Sequence, residues 1–325
     1  MAPRRSAASP CEDGRVSHRV HGVDLARLAR WCAEYLGSPP VAELFTSGYL
    51  SAVIGLRLAD DREVVVKVRP GSPRIAACAE VQRRMFESGY PCPELLSGPA
   101  PFGGDVATAE VYVPGGAVLP GAEHASRVSA EAFARLIRLA PRPADVPALD
   151  PAPSWAAWNH AEPGLWPRPE EGDIDLNEVA GPEWVDQAGR RARDRLRAGA
   201  SEAVIGHCDW LASNLRWKGN ELLVVHDWDS TAADSEAVLV GFAAALHSTV
   251  SPDEHATIEE TGKFLDAYCD ARGQPFSADE RQLSWAAGVW TRAYDAKYQH
   301  AAGEAVVSLS KEEAHERLRR AGSAN

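Results

Sequence analysis

Polar side chains interrupt apolar, strand-like runs in the segment VIGHCDWLASNLRWKGNELLVVHDWDS, residues 204–230. Asn214 follows Asp209 by five residues and precedes Asp227 by thirteen. The runs LRW and LLVVH predict two strands joined by a turn at 218–220, which would bring Asn214 beside Asp227. An amide oxygen and a carboxylate that face one point suit Mg²⁺ shared with substrate phosphates. Asp209 would lie close enough to accept a proton from a hydroxyl.

The motifs HCDWLASN and HDWD resemble the catalytic and metal-binding loops of the protein-kinase-like phosphotransferases. The similarity is closer to the aminoglycoside phosphotransferase family, in an actinobacterial-type branch, and it is strong over residues 204–242. Cys208 stands where that family usually has glycine. The resemblance implies an α+β, protein-kinase-like bilobal fold, with a small β-rich N-lobe and a larger, mostly helical C-lobe.

The resemblance also implies a role for each polar residue of this segment. Asp209 would be the catalytic residue, which orients the acceptor hydroxyl and takes its proton. Mg²⁺ would bind Asn214 and Asp227 and bridge the phosphates of the nucleotide. Apart from the resemblance, His207 is interpreted as a hydrogen-bonded residue that orients the loop. Asp229 either supports the metal site or bonds the backbone.

The N-terminal half is expected to hold the nucleotide. Lys67 lies between valines in the run EVVVKV, and the family pattern implies that it contacts the α- and β-phosphates of ATP or GTP. Glu80, in the helix-like run that follows, is predicted as the ion-pair partner of Lys67. The stretch SGYLS occupies the place of the phosphate-covering loop, and AEVYV that of the hinge that meets the base. The residues assigned to this loop and hinge are Ser47, Gly48, Ser51, Val111 and Val113.

The charge of the chain limits its partners. Its 325 residues carry a net charge of −12, with a pI of about 5.3, which disfavours nucleic acid and favours a cationic small molecule. The acidic run PEEGDIDLNE could contact such an acceptor through Glu170, Glu171 and Asp173. There is no run of 18 apolar residues, so we expect no membrane-spanning helix and no membrane partner. Six scattered Cys without a CxxC pair indicate reduced thiols and a cytoplasmic location.

Periodicity divides the chain into three parts. We expect a disordered tail over 1–18, a nucleotide-binding N-lobe over 19–115 and a C-lobe over 116–325. A hairpin is predicted with its turn at Asp60-Asp61, and a further strand is predicted to begin at residue 105. The segment 151–180 is rich in Pro, Trp and acids and is predicted to be irregular. Helices are predicted over 21–37, 74–89, 129–140 and 182–200, and after Ser277 and Ser310, where Glu follows at capping-box spacing.

The function predicted from these features is nucleotide-dependent O-phosphorylation of a small molecule. An aminoglycoside-type or other antibiotic is the first choice of acceptor, and a metabolite such as choline, homoserine or an amino sugar is the alternative. A different class, a metal-dependent hydrolase, would use a mixed cluster of His207, Asp209, His226 and Asp227. That hypothesis gives Lys67 and Asn214 no role. It also leaves the spacing of the segment unexplained. A third hypothesis, a nucleotide-binding module without transfer, is disfavoured because Asp209, Asn214 and Asp227 are all present.

Overall fold

The computed structural model describes residues 19–20, 22–48, 51–119, 125–146, 148–170, 174–199, 201–247 and 255–323. Two compact units make up the chain. The first comprises residues up to Ala76 together with 93–113, and the second comprises 77–92 and residues from Pro114 onward. The predicted tail over 1–18, and the candidate residues Glu171 and Asp173, lie outside the described residues.

The first unit combines one helix with an antiparallel sheet. It begins with the short strands β1 (Arg19–Val20) and β2 (Val23–Asp24) and the helix α1 (Leu25–Tyr35). The carboxylate of Asp24 caps this helix by accepting from the N–H groups of Ala26 and Arg27. The sheet has five strands in the order β3-β4-β5-β7-β6, and these are β3 (Pro40–Ser47), β4 (Ala52–Leu58), β5 (Glu63–Arg69), β6 (Leu95–Phe102) and β7 (Asp105–Val111).

Alternation along β5 builds the core of this unit. Val64, Val66 and Val68 point to one face and are buried with residues of β4, β7 and α1. Lys67 points to the other face of the strand. The predicted hairpin is confirmed, because β4 pairs with β5 around a turn in which Asp61 adopts a φ of +65°.

Helix α2 (Pro73–Glu87) begins in the first unit and continues in the second. Its buried side chains Cys78, Val81 and Met85 join the core of the second unit. Residues 77–92 therefore belong with the helical part of the chain, a division that the predicted boundary near residue 115 did not anticipate. Strand alternation locates a sheet but does not show which core a flanking helix will join.

The second unit is mostly helical, as predicted. Its helices are α3 (Ala125–Leu139), α4 (Glu183–Arg197), α5 (Glu236–Leu246), α6 (Ile258–Arg272), α7 (Ala278–Ala301) and α8 (Lys311–Arg320). Ser277 and Glu280 form the predicted capping box of α7. At the start of α8, Ser310 accepts from Glu313 N. The described residues also include three short 3-10 helices, at Pro143–Asp145, Ala212–Asn214 and Trp228–Ser230.

Helix α5 is buried along its whole length. It packs against α7 at Gly241, where an added Cβ would collide with the backbone of Ser284. The missing side chain lets the two helices approach closely. Helix α5 directly follows the last strand of the second unit, so this packing also fixes the position of that strand.

Two strand pairs complete the second unit. Their members are β8 (Ala203–His207), β9 (Leu215–Lys218), β10 (Glu221–Val225) and β11 (Thr231–Ser235). The predicted hairpin is confirmed by the pairing of Lys218 with Glu221 and of Leu215 with Val225. The pairing of β8 with β11 was not predicted. Within the described part of the chain, none of the helices combines the length and apolar character needed to cross a membrane.

Candidate active site

The end of β8 and the loop after it carry the first candidate residues. Strand β8 pairs with β11, so that His207 lies opposite Thr231. Beyond the strand, Cys208 N donates to Ser230 O over 2.8 Å. The loop ends at the 3-10 helix before β9. The strand pair thus fixes where the loop begins, and the hairpin fixes where it ends.

His207 is fully buried at the base of this loop. Its Nε2 lies 3.0 Å from His226 O, and Asp209 N donates to its Nδ1 over 3.2 Å. Because Nδ1 accepts a hydrogen bond, this network assigns the proton of the neutral ring to Nε2, which donates to His226 O. The ring therefore ties the backbone before Asp209 to the backbone before Asp227.

Asp209 and Asn214 are joined through the side-chain amide of Asn214. Its Nδ2 donates to Asp209 Oδ2 over 2.8 Å and to Asp209 O over 3.0 Å. Burial raises the pKa of Asp209 to about 6, because a charged carboxylate loses solvation there. The bond from Asn214 lowers this pKa, while the negative charges of Asp295 and Asp229 raise it. A carboxylate with a pKa near neutrality is suited to accept a proton.

The hairpin brings Asn214 and Asp227 into neighbouring positions. Val225 pairs with Leu215, and in the next step of the ladder His226 N donates to Asn214 O over 2.8 Å. Asp227 is the following residue. The prediction that the two residues meet at the open end of the hairpin is therefore confirmed at the level of the backbone.

The conformations of both side chains suit a metal ion. The Nδ2 group of Asn214 is bound to Asp209, which turns the amide oxygen Oδ1 to the opposite side. Asp227 has a φ of +64°, uncommon for a residue other than glycine. Its Oδ2 accepts from Ser230 Oγ over 3.3 Å. Strained backbone of this kind concentrates at functional sites.

Asp229 follows within the 3-10 helix Trp228–Ser230. Helix α2 contacts this segment inside the second unit, because Cys78 Sγ lies 3.7 Å from Asp229 O and 3.8 Å from Thr231 O. The loop that carries Asp227 is thus held by β8 on one side and by α2 on another. The predicted supporting role of Asp229 stays a prediction.

The first unit holds the residues predicted to bind the nucleotide phosphates. Lys67 is buried, and its Nζ lies 3.6 Å from Glu110 Oε1 on β7. Ser47 ends β3, and Ser51 directly precedes β4. Between them, Gly48 has a φ of +120°, and an added Cβ would collide with Ser51 O. Only glycine fits at position 48.

The predicted hinge residues form backbone hydrogen bonds within the first unit, and Glu80, the predicted partner of Lys67, forms ion pairs within its own helix. Val111 N donates to Glu94 O over 2.9 Å, and Tyr112 N donates to Glu63 O over 3.0 Å. The N–H groups of these two hinge residues are therefore already hydrogen-bonded to backbone carbonyls of the first unit. The carboxylate of Glu80 accepts from two guanidinium groups of its own helix, those of Arg83 and Arg84. The pairing of Lys67 with Glu80, and the contacts of Val111 and Val113 with a base, stay predictions.

The irregular segment predicted at 151–180 has no helix or strand in its described residues, yet neighbouring side chains hold it in place. Buried Arg193 on α4 donates to the carbonyls of Trp158, His160 and Gly164. Glu170 Oε1 accepts from Ser154 N over 3.3 Å. Part of the acidic run is thus used to order the backbone, and its contact with an acceptor stays a prediction.

Comparison with known proteins decides the family. A model of the phosphotransferase enzyme family (APH) matches residues 41–286. The chain belongs to this family. No curated protein sequence matches this phosphotransferase significantly.

Solved structures of similar fold cover nearly all of this phosphotransferase. The amicoumacin kinase hAmiN, in complex with AMP-PNP, Ca²⁺ and Ami, has a TM-score of 0.62 at 12% identity, covering 92% of this chain and 94% of its own. Spectinomycin phosphotransferase APH(9)-Ia, in complex with ADP and spectinomycin, has a TM-score of 0.56 at 11% identity, covering 92% and 97%. A choline/ethanolamine kinase family protein from Mesorhizobium loti has a TM-score of 0.52 at 16% identity, covering 92% of each chain. The predicted α+β, protein-kinase-like fold is confirmed.

The hydrolase hypothesis has little support in this phosphotransferase. Both ring nitrogens of His207 have backbone partners, so His207 is not turned toward a metal. Among the residues that the structure describes, no group of three or more His, Cys, Asp or Glu side chains is placed to hold a metal ion. The mixed cluster with His226 is therefore not assembled.

Two tryptophans of the irregular segment reach the catalytic region of the phosphotransferase, which the sequence did not predict. Trp155 Nε1 donates over 3.3 Å to the carbonyl of Cys208, the residue before Asp209. Trp158 Nε1 donates over 2.7 Å to Asp234 Oδ2 on β11. Burial raises the pKa of Asp234, and this bond lowers it. The spacing of the two indoles, three residues apart in a Pro-rich run, was the available signal.

A titratable pair near Asp209 was also missed. His255 Nε2 lies 3.5 Å from Asp295 Oδ2 on α7. Asp295 raises the pKa of Asp209 and His255 lowers it, so both are close enough to act on the Asp209 carboxylate. Arg292 NH1 and Arg317 NH2 both donate to Ala256 O, which anchors the chain directly after His255. Nothing in the local sequence links these distant positions to Asp209.

Proposed function

We propose that this phosphotransferase transfers the γ-phosphoryl group of ATP or GTP to a hydroxyl of a small molecule. The observation that supports this most directly is the Asp209–Asn214 pair. It holds a carboxylate of raised pKa beside an amide whose oxygen is turned away from that carboxylate. Phosphoryl transfer needs a group that orients the nucleophile and oxygens that hold the metal–phosphate complex. The pair supplies one of each.

Asp209 receives the acceptor hydroxyl in this mechanism. The hydroxyl oxygen attacks the γ-phosphorus, and the bond from that phosphorus to the β,γ-bridging oxygen breaks. The hydroxyl proton passes to Asp209 as the new bond forms. The products are the phosphorylated acceptor and a nucleoside diphosphate, without a covalent enzyme intermediate. The protein contributes mainly position and charge.

Mg²⁺ fits the donor set of Asn214 and Asp227. Both offer hard oxygen atoms, and the hydrogen bonds of Asn214 leave its oxygen rather than its nitrogen facing away from Asp209. A bound Mg²⁺ would neutralise charge on the phosphate oxygens. The carboxylate of Asp229 would add negative charge beside these ligands.

The nucleotide is assigned to the first unit. Lys67 would pair with the α- and β-phosphates, and the segment that contains Ser47, Gly48 and Ser51 would cover them. The N–H groups of Val111 and Tyr112 serve the sheet, so we expect the base to meet the hinge at Val113.

The acceptor is assigned to the cationic antibiotics, with an aminoglycoside-type compound first. The net charge of −12 supports this, as do Asp229 and Asp295, which act on Asp209. Glu170, Glu171 and Asp173 remain the predicted acidic contacts. The similarity to both antibiotic phosphotransferases and a choline/ethanolamine kinase family protein keeps a choline, homoserine or amino-sugar kinase as the alternative.

One assay tests the reaction and the acceptor together. The protein is incubated with Mg-ATP or Mg-GTP and a panel of aminoglycosides, other hydroxyl-bearing antibiotics, choline, ethanolamine, homoserine and amino sugars. Mass spectrometry then detects the addition of one phosphoryl group, with Asp209→Ala as the control. Transfer to an antibiotic supports the first assignment, and transfer only to a metabolite supports the alternative. Release of inorganic phosphate at equal rates with and without every acceptor would contradict transfer.

A further inference from the structure

Strand pairing places an acid beside the nucleotide-binding lysine. In the register of β5 and β7, Val65 lies opposite Glu110 and Lys67 lies opposite Thr108. Lys67 and Glu110 are therefore diagonal neighbours on one face of the sheet, a separation that long side chains can bridge. The distance of 3.6 Å between Lys67 Nζ and Glu110 Oε1 shows that they do.

Burial makes this ion pair unusual within the first unit. The side chains of Lys67 and Glu110 are only 8% and 6% exposed. A buried ammonium group needs nearby opposite charge to remain protonated, so a carboxylate at this distance favours the charged form of Lys67. The other ion pairs described in this unit, Arg57–Glu63 and Arg62–Asp60, are at least 33% exposed on every side chain and are expected to matter little.

Glu80, the acid predicted to hold Lys67, lies in a different environment. Its side chain is 32% exposed and forms ion pairs with Arg83 and Arg84. These two guanidinium groups lower its pKa, so its charge is already balanced on its own helix. Because the Glu80 carboxylate already has these two cationic partners, we expect it to stabilise the charge of Lys67 less than Glu110 does.

We infer that Glu110 on β7 is the positioning residue of Lys67, holding its ammonium group charged and in place for the nucleotide phosphates. The inference rests on the proposed role of Lys67 in binding the nucleotide. It places the control of this lysine in a strand of the same sheet, next to the hinge, instead of in helix α2. Nucleotide affinity would then depend on the sheet itself.

A double-mutant cycle tests this inference. The dissociation constant for Mg-ATP and Mg-GTP is measured by calorimetry for the wild type, Lys67→Met, Glu110→Gln and the double variant. Loss of a charged contact predicts a roughly 10- to 100-fold increase in Kd for each single variant. If Glu110 acts through Lys67, Glu110→Gln should cause no further increase in the Lys67→Met background.

Two further variants separate positioning from folding. Glu110→Asp keeps the charge on a shorter side chain and should raise Kd less than Glu110→Gln does. If Glu110→Gln does not fold, Glu110→Asp takes its place in the cycle and should raise Kd in the wild type but not in the Lys67→Met background. Arg57→Gln breaks an exposed ion pair of the same sheet and should change Kd by less than about twofold. Thermal unfolding of each variant checks that the sheet is intact.

Each outcome bears on a different claim. If Lys67→Met leaves Kd unchanged, the role of Lys67 in the proposed function is wrong. If Lys67→Met weakens binding while Glu110→Gln does not, or if the two effects add, only the inference about Glu110 fails. Non-additivity of Glu80→Gln with Lys67→Met, in the absence of such coupling for Glu110, would assign the positioning role to Glu80.

Discussion

Lys67 is buried in the first unit and Asp209 is half-buried in the second, and these two titratable groups have opposite surroundings. In the first unit, the ammonium of Lys67 has a carboxylate beside it. In the second, the carboxylate of Asp209 has a neutral amide partner and feels the negative charges of Asp295 and Asp229. A cation that binds phosphate must remain charged, whereas a base must be able to take up a proton. The environments match these two tasks, which is a pattern expected of functional sites.

The contrast between Lys67 and Asp209 has no functional meaning if Asp209 is not the base. Asp209→Ala should lower kcat for phosphoryl transfer about 10²- to 10⁴-fold, because a positioned base typically contributes that much. Nucleotide affinity should stay close to that of the wild type, since Asp209 is proposed to contact the acceptor hydroxyl and not the nucleotide. Steady-state kinetics and nucleotide calorimetry measure the two effects. A kcat near the wild-type value would remove Asp209 from the mechanism.

The metal ligands should show the second largest effect. Asp227→Asn and Asn214→Ala should weaken nucleotide binding roughly 10-fold or more when Mg²⁺ is present, because losing a ligand or its support typically costs that much in metal affinity. Binding in EDTA should change little. Calorimetric titrations with and without Mg²⁺ make the comparison. Equal losses under both conditions would argue against a metal role for these residues.

The irregular segment gives a test of how rigid the loop before Asp209 must be. Trp155→Phe keeps an aromatic ring but removes the hydrogen bond to Cys208 O, so the peptide before Asp209 loses one restraint. We expect kcat to fall roughly 3- to 10-fold, the equivalent of one ordinary hydrogen bond, with no change in KM for the nucleotide.

Trp158→Phe is the matched control for this substitution. It removes an indole donor from the same segment, but the acceptor is Asp234 on β11. Because it leaves the half-buried carboxylate of Asp234 without that bond, we expect a lower melting temperature and a smaller effect on kcat than Trp155→Phe has. If both variants lose activity in proportion to their stability, Trp155 has only a packing role.

The sequence predicted the local part of this site well. Asp209, Asn214 and Asp227 lie within one loop and one hairpin, whose strands and turn are encoded by neighbouring residues. The edge strand of the sheet was harder to predict. Strand β6 contains Gly98, Pro99 and Pro101, and such residues argue against a strand. Proline is tolerated there because β6 is the outermost strand and its N–H groups need not all be paired.

The long-range contacts could not be predicted from the sequence. Glu110 meets Lys67 only because β7 lies beside β5 in the strand order, with one particular register. Trp155 meets Cys208 through a segment that has no periodicity, so no pattern indicates its direction. Asp295 influences Asp209 from a helix that follows much later in the chain. Such contacts depend on how elements pack, and a pattern of apolar residues does not fix that packing.

The smallest predicted effect concerns the charge around Asp209, and it tests the second half of the comparison. Asp209 must be deprotonated to act as a base, so kcat/KM for the acceptor should fall as the pH drops through about 6. Asp295 raises the pKa of Asp209, so Asp295→Asn should move this acid limb to lower pH. His255 lowers that pKa, so His255→Ala should move the limb the other way. Each shift should be a fraction of a pH unit, on the order of what one partly solvated charge contributes, and it should shrink at 1 M salt, where the Debye length is about 3 Å. Shifts in the same direction for both variants would mean that the limb does not report the charge at Asp209, and the contrast with Lys67 would then rest on geometry alone.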